Sequence, residues 1–251
     1  KVPYTAPEVA TKLVPAPVEG WDAISPLSNM DNKRAPILNN WVPRTGWVEL
    51  RGGYSPWAQM IADAPVESLM VYRSPTLGEA CFAAAGSEIF DVSTELAASY
   101  TAVLTGLSSA RWQYVNFTPA NAATVIQIVN GVDTLRQWNG SAWSVPSITG
   151  LPGGRTTADI INISSFKRRL WYVLKDSTIA AYLATDAISG AIAGNLDLGS
   201  LYRKGGSLIA IAEWTIDGGQ GPDDYVAFIS SEGEIALYQG TDPTTQAALG
   251  S

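Results

Sequence analysis

Ala123-Thr124-Val125-Ile126-Gln127-Ile128-Val129-Asn130-Gly131-Val132 reads as a strand running into a turn. With the return from Val132 to Trp138 it predicts a β-hairpin. β-Branched residues dominate the run, and Asn-Gly is the pair that most readily takes the positive φ angles of a tight hairpin turn. Three further stretches overlay on it. Residues 80–85 turn at Gly86-Ser87 into 88–92, residues 169–174 turn at Lys175-Asp176 into 177–183, and residues 224–229 turn around Glu232-Gly233 into 234–238. The turn centres Gly86, Gly131, Asp176 and Gly233 lie 45, 45 and 57 residues apart. Each returning strand carries an aromatic near its end: Phe90, Trp138, Tyr182 and Tyr238.

A strand-turn-strand unit of this period matches the four-stranded blade of a β-propeller, for which roughly 40–50 residues per repeat is usual. Neighbouring blades cover each other's faces, which accounts for a chain that is 46% hydrophobic yet lacks long amphipathic helix patterns. The predicted fold class is all-β, with β-propeller-like repeats. A β-sandwich or jelly roll with coincidental spacing is the alternative. The last interval is longer than the others by 12 residues. The excess falls in Trp214 to Asp224, read as a Gly-rich acidic loop between two apolar strands. Long loops on a regular scaffold often carry function.

Upstream the character changes. Pro3, Pro7, Pro15 and Pro17 predict an extended arm over residues 1–20. Trp21, Trp41, Trp47, Tyr54 and Trp57 lie among Pro26, Pro36, Pro43 and Pro56. They predict an irregular aromatic-rich segment over 21–65 packed on the body, because exposing that much ring surface is costly. The body itself is expected over 66–251, as part of a longer chain. The amino end, Lys1-Val2-Pro3-Tyr4, lacks the apolar core of a secretory signal. No run of about 18 apolar residues is present, so no membrane span is expected.

Composition narrows the chemistry. The 251 residues contain no histidine, which excludes Ser-His-Asp and Cys-His catalysis and His-ligated zinc. The single cysteine, Cys81, can form neither an internal disulfide nor a thiolate cluster, and its apolar run reads as a buried, inert thiol. Lys and Arg number 16 against 23 Asp and Glu, a net charge of −7. Residues 1–204 sum to zero, and the last 47 residues hold seven acids and no base. That balance argues against a general nucleic-acid binder working by phosphate neutralisation.

Asp217, Asp223 and Asp224 are the weak candidates for a calcium site. Their spacing is not that of an EF-hand, so solvated turn aspartates are the expected reading. Lys167-Arg168-Arg169 reads as charges on the edge of the third hairpin, alternating faces and blocking sheet-to-sheet pairing. Gly218-Gly219-Gln220-Gly221 lacks the Lys-Ser/Thr ending of a phosphate loop. No catalytic constellation is found. No cofactor is expected, and the chain is read as non-enzymatic.

Two amino-terminal stretches carry a family likeness. They are Trp21-Asp22-Ala23-Ile24-Ser25-Pro26-Leu27-Ser28-Asn29-Met30 and Leu38-Asn39-Asn40-Trp41-Val42-Pro43-Arg44-Thr45-Gly46-Trp47-Val48-Glu49-Leu50-Arg51-Gly52-Gly53-Tyr54. With residues 166–173, 204–208 and 231–243, they resemble the tail hub or nozzle proteins of short-tailed bacteriophages. These are similar in role to tail tubular protein B and the packaged-DNA stabilisation proteins. The resemblance implies a structural protein of the virion tail, assembled in the host cytoplasm, with copies in a ring of six. Its partners would be the portal, the adaptor and other tail proteins, with genomic DNA passing through the lumen. The other reading is a carbohydrate-binding or glycan-cleaving propeller in host receptor recognition, with Trp57, Trp112 and Trp143 as sugar-stacking platforms.

Overall fold

The computed structural model describes residues 13–59, 64–97, 99–120, 122–217, 222–240 and 243. They form two units, 1–56 and 57–251. Most of the arm expected over 1–20 lies outside the described residues.

The first unit holds four short strands: β1 (Gly20–Trp21), β2 (Arg34–Ala35), β3 (Trp41–Arg44) and β4 (Trp47–Leu50). β1 pairs with β2 in parallel, and β3 with β4 as a hairpin turning at Thr45-Gly46. Asp22 organises the turn after β1. Its Oδ1 accepts the backbone N–H groups of Ile24 and Ser25 at 3.0 and 2.9 Å, and Arg34 Nη1 stands 3.5 Å from Oδ2. The two backbone donors, then Arg34, hold its carboxyl down at about 2. A depressed carboxyl stabilises the fold above its unfolded value of 3.8 and loses that stabilisation as the pH falls toward 2. Trp21 fluorescence is expected to change over that window in the native chain and not in Asp22→Asn.

The second unit is a stack of four antiparallel sheets in chain order. Sheet I is β5 (Val66–Ser74), β6 (Gly78–Ala85), β7 (Glu88–Asp91) and β8 (Ala102–Leu104). Sheet II is β9 (Gln113–Phe117), β10 (Val125–Val129), β11 (Arg136–Trp138) and β12 (Trp143–Ser144). A parallel pair, β13 (Ile148–Thr149) with β17 (Gly190–Ala191), links onward. Sheet III is β14 (Ile160–Phe166), β15 (Arg169–Leu174), β16 (Ile179–Tyr182) and β18 (Gly194–Asp197). Sheet IV is β19 (Leu208–Asp217), β20 (Pro222–Ser230) and β21 (Ile235–Gln239). The first strands begin at Val66, Gln113, Ile160 and Leu208, 47, 47 and 48 residues apart. This period is more even than the turn spacing, and the predicted hairpins are the second and third strands of each sheet.

Sheets stack because their strands are apolar on both faces. Successive side chains alternate sides. Ile126 and Ile128 of β10 therefore pack with Met70, Tyr72 and Phe82 of sheet I, while Val125 and Val129 pack with Ile163, Leu170 and Tyr172 of sheet III. On β15, Leu170, Tyr172 and Leu174 face sheet II, and Trp171 and Val173 face Val226 and Phe228 of sheet IV. The first strands of successive sheets also lie side by side, β5 by β9, β9 by β14 and β14 by β19. The chain is thus all-β, built of face-packed antiparallel sheets.

The turns correct three expectations. Asn130-Gly131 is not a two-residue hairpin turn: β10 ends at Val129 and β11 begins at Arg136. Asn130 Oδ1 instead accepts the N–H groups of Val132 and Asp133, and Asp133 reaches across to Ser108 N at 2.9 Å. Gly131 has φ +75, and a Cβ there would lie 2.7 Å from Ile161 Cγ2 of sheet III. Glycine is therefore needed for close approach between sheets as well as for the turn.

Lys167-Arg168-Arg169 does not run along a strand edge. Lys167 (φ +47) and Arg168 (φ +60) are the two turn residues between Phe166 and Arg169, which pair. Residues 214–224 are not a long loop either. Trp214 pairs with Tyr225, Thr215 with Asp224 and Asp217 with Pro222, so the insertion lengthens a hairpin. The loop residues 218–221 lie outside the described residues.

Candidate functional site

The two charged motifs, read separately in the sequence, meet at one edge of the stack. Lys167 Nζ donates to Asp224 Oδ2, and Thr215 Oγ1 donates to Asp224 Oδ1 at 3.2 Å. Arg168 closes on both oxygens of Asp186, whose Oδ1 also accepts Ala120 N at 3.1 Å. Arg169 donates to Leu183 O at 3.2 Å and lies 5.6 Å from the Tyr182 ring centre. Three adjacent cations therefore reach three separate acceptors and tie sheets II, III and IV together at their turns. Two consecutive non-glycine residues at positive φ are strained, and both carry an ion-paired side chain.

The hydrogen bond from Lys167 leads in holding the Asp224 carboxyl below its ordinary value, and that from Arg168 does the same for Asp186. Both pairs contribute above the ordinary carboxyl value of 3.8 and weaken as the pH falls below it. Carboxylate NMR titration is expected to place both groups below an exposed aspartate. Lys167→Met should return Asp224 toward the ordinary value without moving Asp186.

Asp224 is thus occupied by a lysine and a hydroxyl, while the side chains of Asp217 and Asp223 lie outside the described residues. Among the described residues no group of three Asp, Glu, Cys or His side chains is placed to hold a metal. Glu234 is likewise engaged: its carboxylate accepts the N–H groups of Arg203 and Lys204 at 3.1 and 2.9 Å.

At the opposite edge of the stack, the linker before the first strand of sheets II, III and IV clamps that sheet's turn between second and third strands. Ser108 N reaches Asp133, Lys175 N reaches Asp159 O at 2.8 Å, and Ser231 N reaches Ser207 O at 2.8 Å. These contacts repeat with the sheets, and no periodic side-chain motif announces them.

The three candidate sugar platforms separate. Trp112 is buried, and Trp143, partly buried, packs edge-on against Phe82 at 5.0 Å at the margin of the core between sheets I and II. Trp112 has no face free for a ligand, and the Trp143 ring is engaged by Phe82 and Trp138. Trp57 is half-exposed, its Nε1 donating to Val92 O at 2.8 Å. It lines an apolar groove of about 580 Å³ with Leu69, Cys81 and Ala83. Cys81 is partly buried, and burial, then Asp91, pushes its thiol up. The first unit has a second groove, of about 720 Å³, between Trp21, Ile37, Trp41 and Pro43. Trp21, Trp41, Trp47 and Tyr54 of this unit are all exposed.

No family model and no curated protein matches the chain. Among solved structures, it is similar to a chain of the crystal structure of BBS1N in complex with ARL6DN, soaked with lead. The TM-score is 0.46 at 10% identity, over 70% of this chain and 52% of that one. This chain spans about half the length of that neighbour, and the likeness is too distant to carry a fold or a function across.

Proposed function

We propose that the chain is a non-enzymatic structural protein of a bacteriophage tail. In this reading it is a hub or nozzle subunit with a propeller-like body, standing with its copies in a ring of six. The ring connects the portal and adaptor to the distal tail, inside the virion, and genomic DNA leaves through its lumen. One observation carries the reading beyond the resemblance of the Trp21 and Trp41 segments. Four sheets pack face to face, with repeated polar contacts along one edge for sheets II, III and IV and the Lys167–Arg169 contacts at the other, a construction suited to rigid walls. The acids of residues 205–251 suit a lumen wall, since they repel phosphates and keep DNA from sticking. Asp224 is already paired with Lys167, so less bare charge is presented there than the sequence count implies.

Electron microscopy of the purified protein is expected to show rings, and antibody labelling should mark the tail of a virion. A protein that stays a single copy and binds no portal or adaptor component overturns the reading. Neutralising Asp217, Asp223 and Asp224 together is expected to slow DNA release.

A second reading, glycan binding at the host surface, rests on the exposed Trp21 and Trp41 flanking a groove. Sugars stack on such rings. Binding on a glycan array that is lost in Trp41→Ala would favour it.

A further inference from the structure

Asn-Gly occurs twice in the chain, at 130–131 and at 139–140. This pair loses its side-chain amide more readily than other asparagine pairs, because glycine leaves the next backbone nitrogen unshielded and free to bend onto the side chain. The fold treats the two copies differently.

Asn130 is partly buried in the turn after β10, and both ends of its amide are held. Oδ1 accepts Val132 N and Asp133 N, and Nδ2 donates to Asp133 Oδ2 at 2.7 Å and to Ser109 O at 3.3 Å. Gly131 is buried against Ile161 of sheet III, which restrains the backbone nitrogen that would have to move.

Asn139 is exposed, in the turn between β11 and β12. Its Oδ1 accepts Ser141 N and Ser141 Oγ, each at 3.0 Å, and Ala142 N at 2.9 Å. A backbone N–H can only donate, so the atom these groups meet is the oxygen and the amide nitrogen is left outside the cluster. Nδ2 has no partner among the described residues, and neither has the Gly140 N–H. The arrangement is that of an oxyanion site: charge developing on Oδ1 meets donors already in place, while the leaving group is unheld.

We infer that Asn139 is a site of spontaneous deamidation, from which the fold shields Asn130. Water is the only co-reactant. Gly140 N gives its proton to hydroxide and attacks Asn139 Cγ, and the new C–N bond closes a succinimide. The Cγ–Nδ2 bond breaks, and ammonia leaves with a proton from solvent. Water then opens the ring, giving aspartate by attack at Cγ or isoaspartate by attack at the backbone carbonyl of residue 139. Nothing is oxidised or reduced. Either product puts a carboxylate next to the Trp138–Trp143 pair. Isoaspartate also lengthens the turn that leads into β12, a strand of two residues.

Trypsin separates the two sites. Arg111, Arg136 and Arg155 bound peptides 112–136 and 137–155, and Asn139 is the one asparagine of the second. The folded chain is kept in mildly alkaline buffer over weeks, digested at mildly acidic pH and followed by mass spectrometry, with fragment ions locating the amide-to-acid change. Isoaspartyl methyltransferase marks the rearranged product. Asn139 should convert at least tenfold faster than Asn130. In guanidinium chloride, which opens both turns, the two rates should converge. Ser141→Ala removes one donor to Oδ1 and should slow conversion of Asn139 severalfold in the folded chain, with circular dichroism confirming the fold. Conversion of Asn130 at the pace of Asn139 in the folded chain overturns the inference. So does an Asn139 that stays intact when folded and converts only in denaturant, and a rate that Ser141→Ala leaves unmoved overturns the role given to the donors.

Discussion

Trp171→Ala is expected to lower the stability of the second unit by about 3–5 kcal/mol, the usual range for emptying a fully buried aromatic site. The ring is 0% exposed and fills the junction of sheets III and IV. Its centre lies 4.7 Å from that of Tyr182 and 5.9 Å from that of Phe228. Strand pairing on both sides holds β15 in place, so the site cannot collapse around the void. For a unit of this size the loss corresponds to a fall in Tm of roughly 10 °C. Trp171→Phe should cost distinctly less. It keeps most of the apolar volume and deletes Nε1–H, a buried donor without a hydrogen-bond partner. Denaturant melts of the three proteins test the ordering, and a Phe variant as unstable as the Ala variant would show that the junction does not depend on volume.

Gln127→Leu is the second large effect, expected at about 2–4 kcal/mol, although the exchange replaces a polar side chain with an apolar one in a fully buried strand. Gln127 is 0% exposed and every polar atom of its amide is engaged. Nε2 donates to Gln137 Oε1 at 2.9 Å and to Ile188 O at 2.8 Å, and Oε1 accepts the Tyr172 hydroxyl at 2.9 Å. Leucine would strand three partners, two of them, Gln137 and Tyr172, in buried bonds where water cannot readily replace the loss. Burial also pushes the Tyr172 hydroxyl well above the ordinary tyrosine range, so it cannot escape by ionising. Adding Tyr172→Phe removes one orphan, so the double variant should be more stable than the sum of the single losses predicts. Strict additivity would mean that the two side chains are not coupled across the junction of sheets II and III.

The same residues show how much of the molecule is legible in the chain. The apolar runs at 80–85, 125–129, 169–174 and 224–229 locate the central strands, because a strand buried on both faces has no polar alternation. Their outer partners are harder to see. β11 and β12 have three and two residues, too short for a period to register. The first strands β5 and β14 are masked for another reason: Glu67, Arg73, Asn162 and Ser164 interrupt their apolar runs. Asn162 has its own use, as Oδ1 accepts Ile211 N of sheet IV at 3.2 Å.

What the amino-acid sequence determined by itself was the strand content, a repeat near 45 residues and the concentration of acid after Gly205, all set by local composition and spacing. Only the tertiary structure decided how the turns close. Asn-Gly, the best local turn pair, sits in a longer loop because Asp133 is drawn to Ser108, and Lys-Arg, a poor one, makes the tight turn because Asp224 and Asp186 hold it. Lys167 and Asp224 are 57 residues apart. A turn whose side chain is paired with a charge that distant has no local signature, since the partner is brought into place only by the stacking of the sheets.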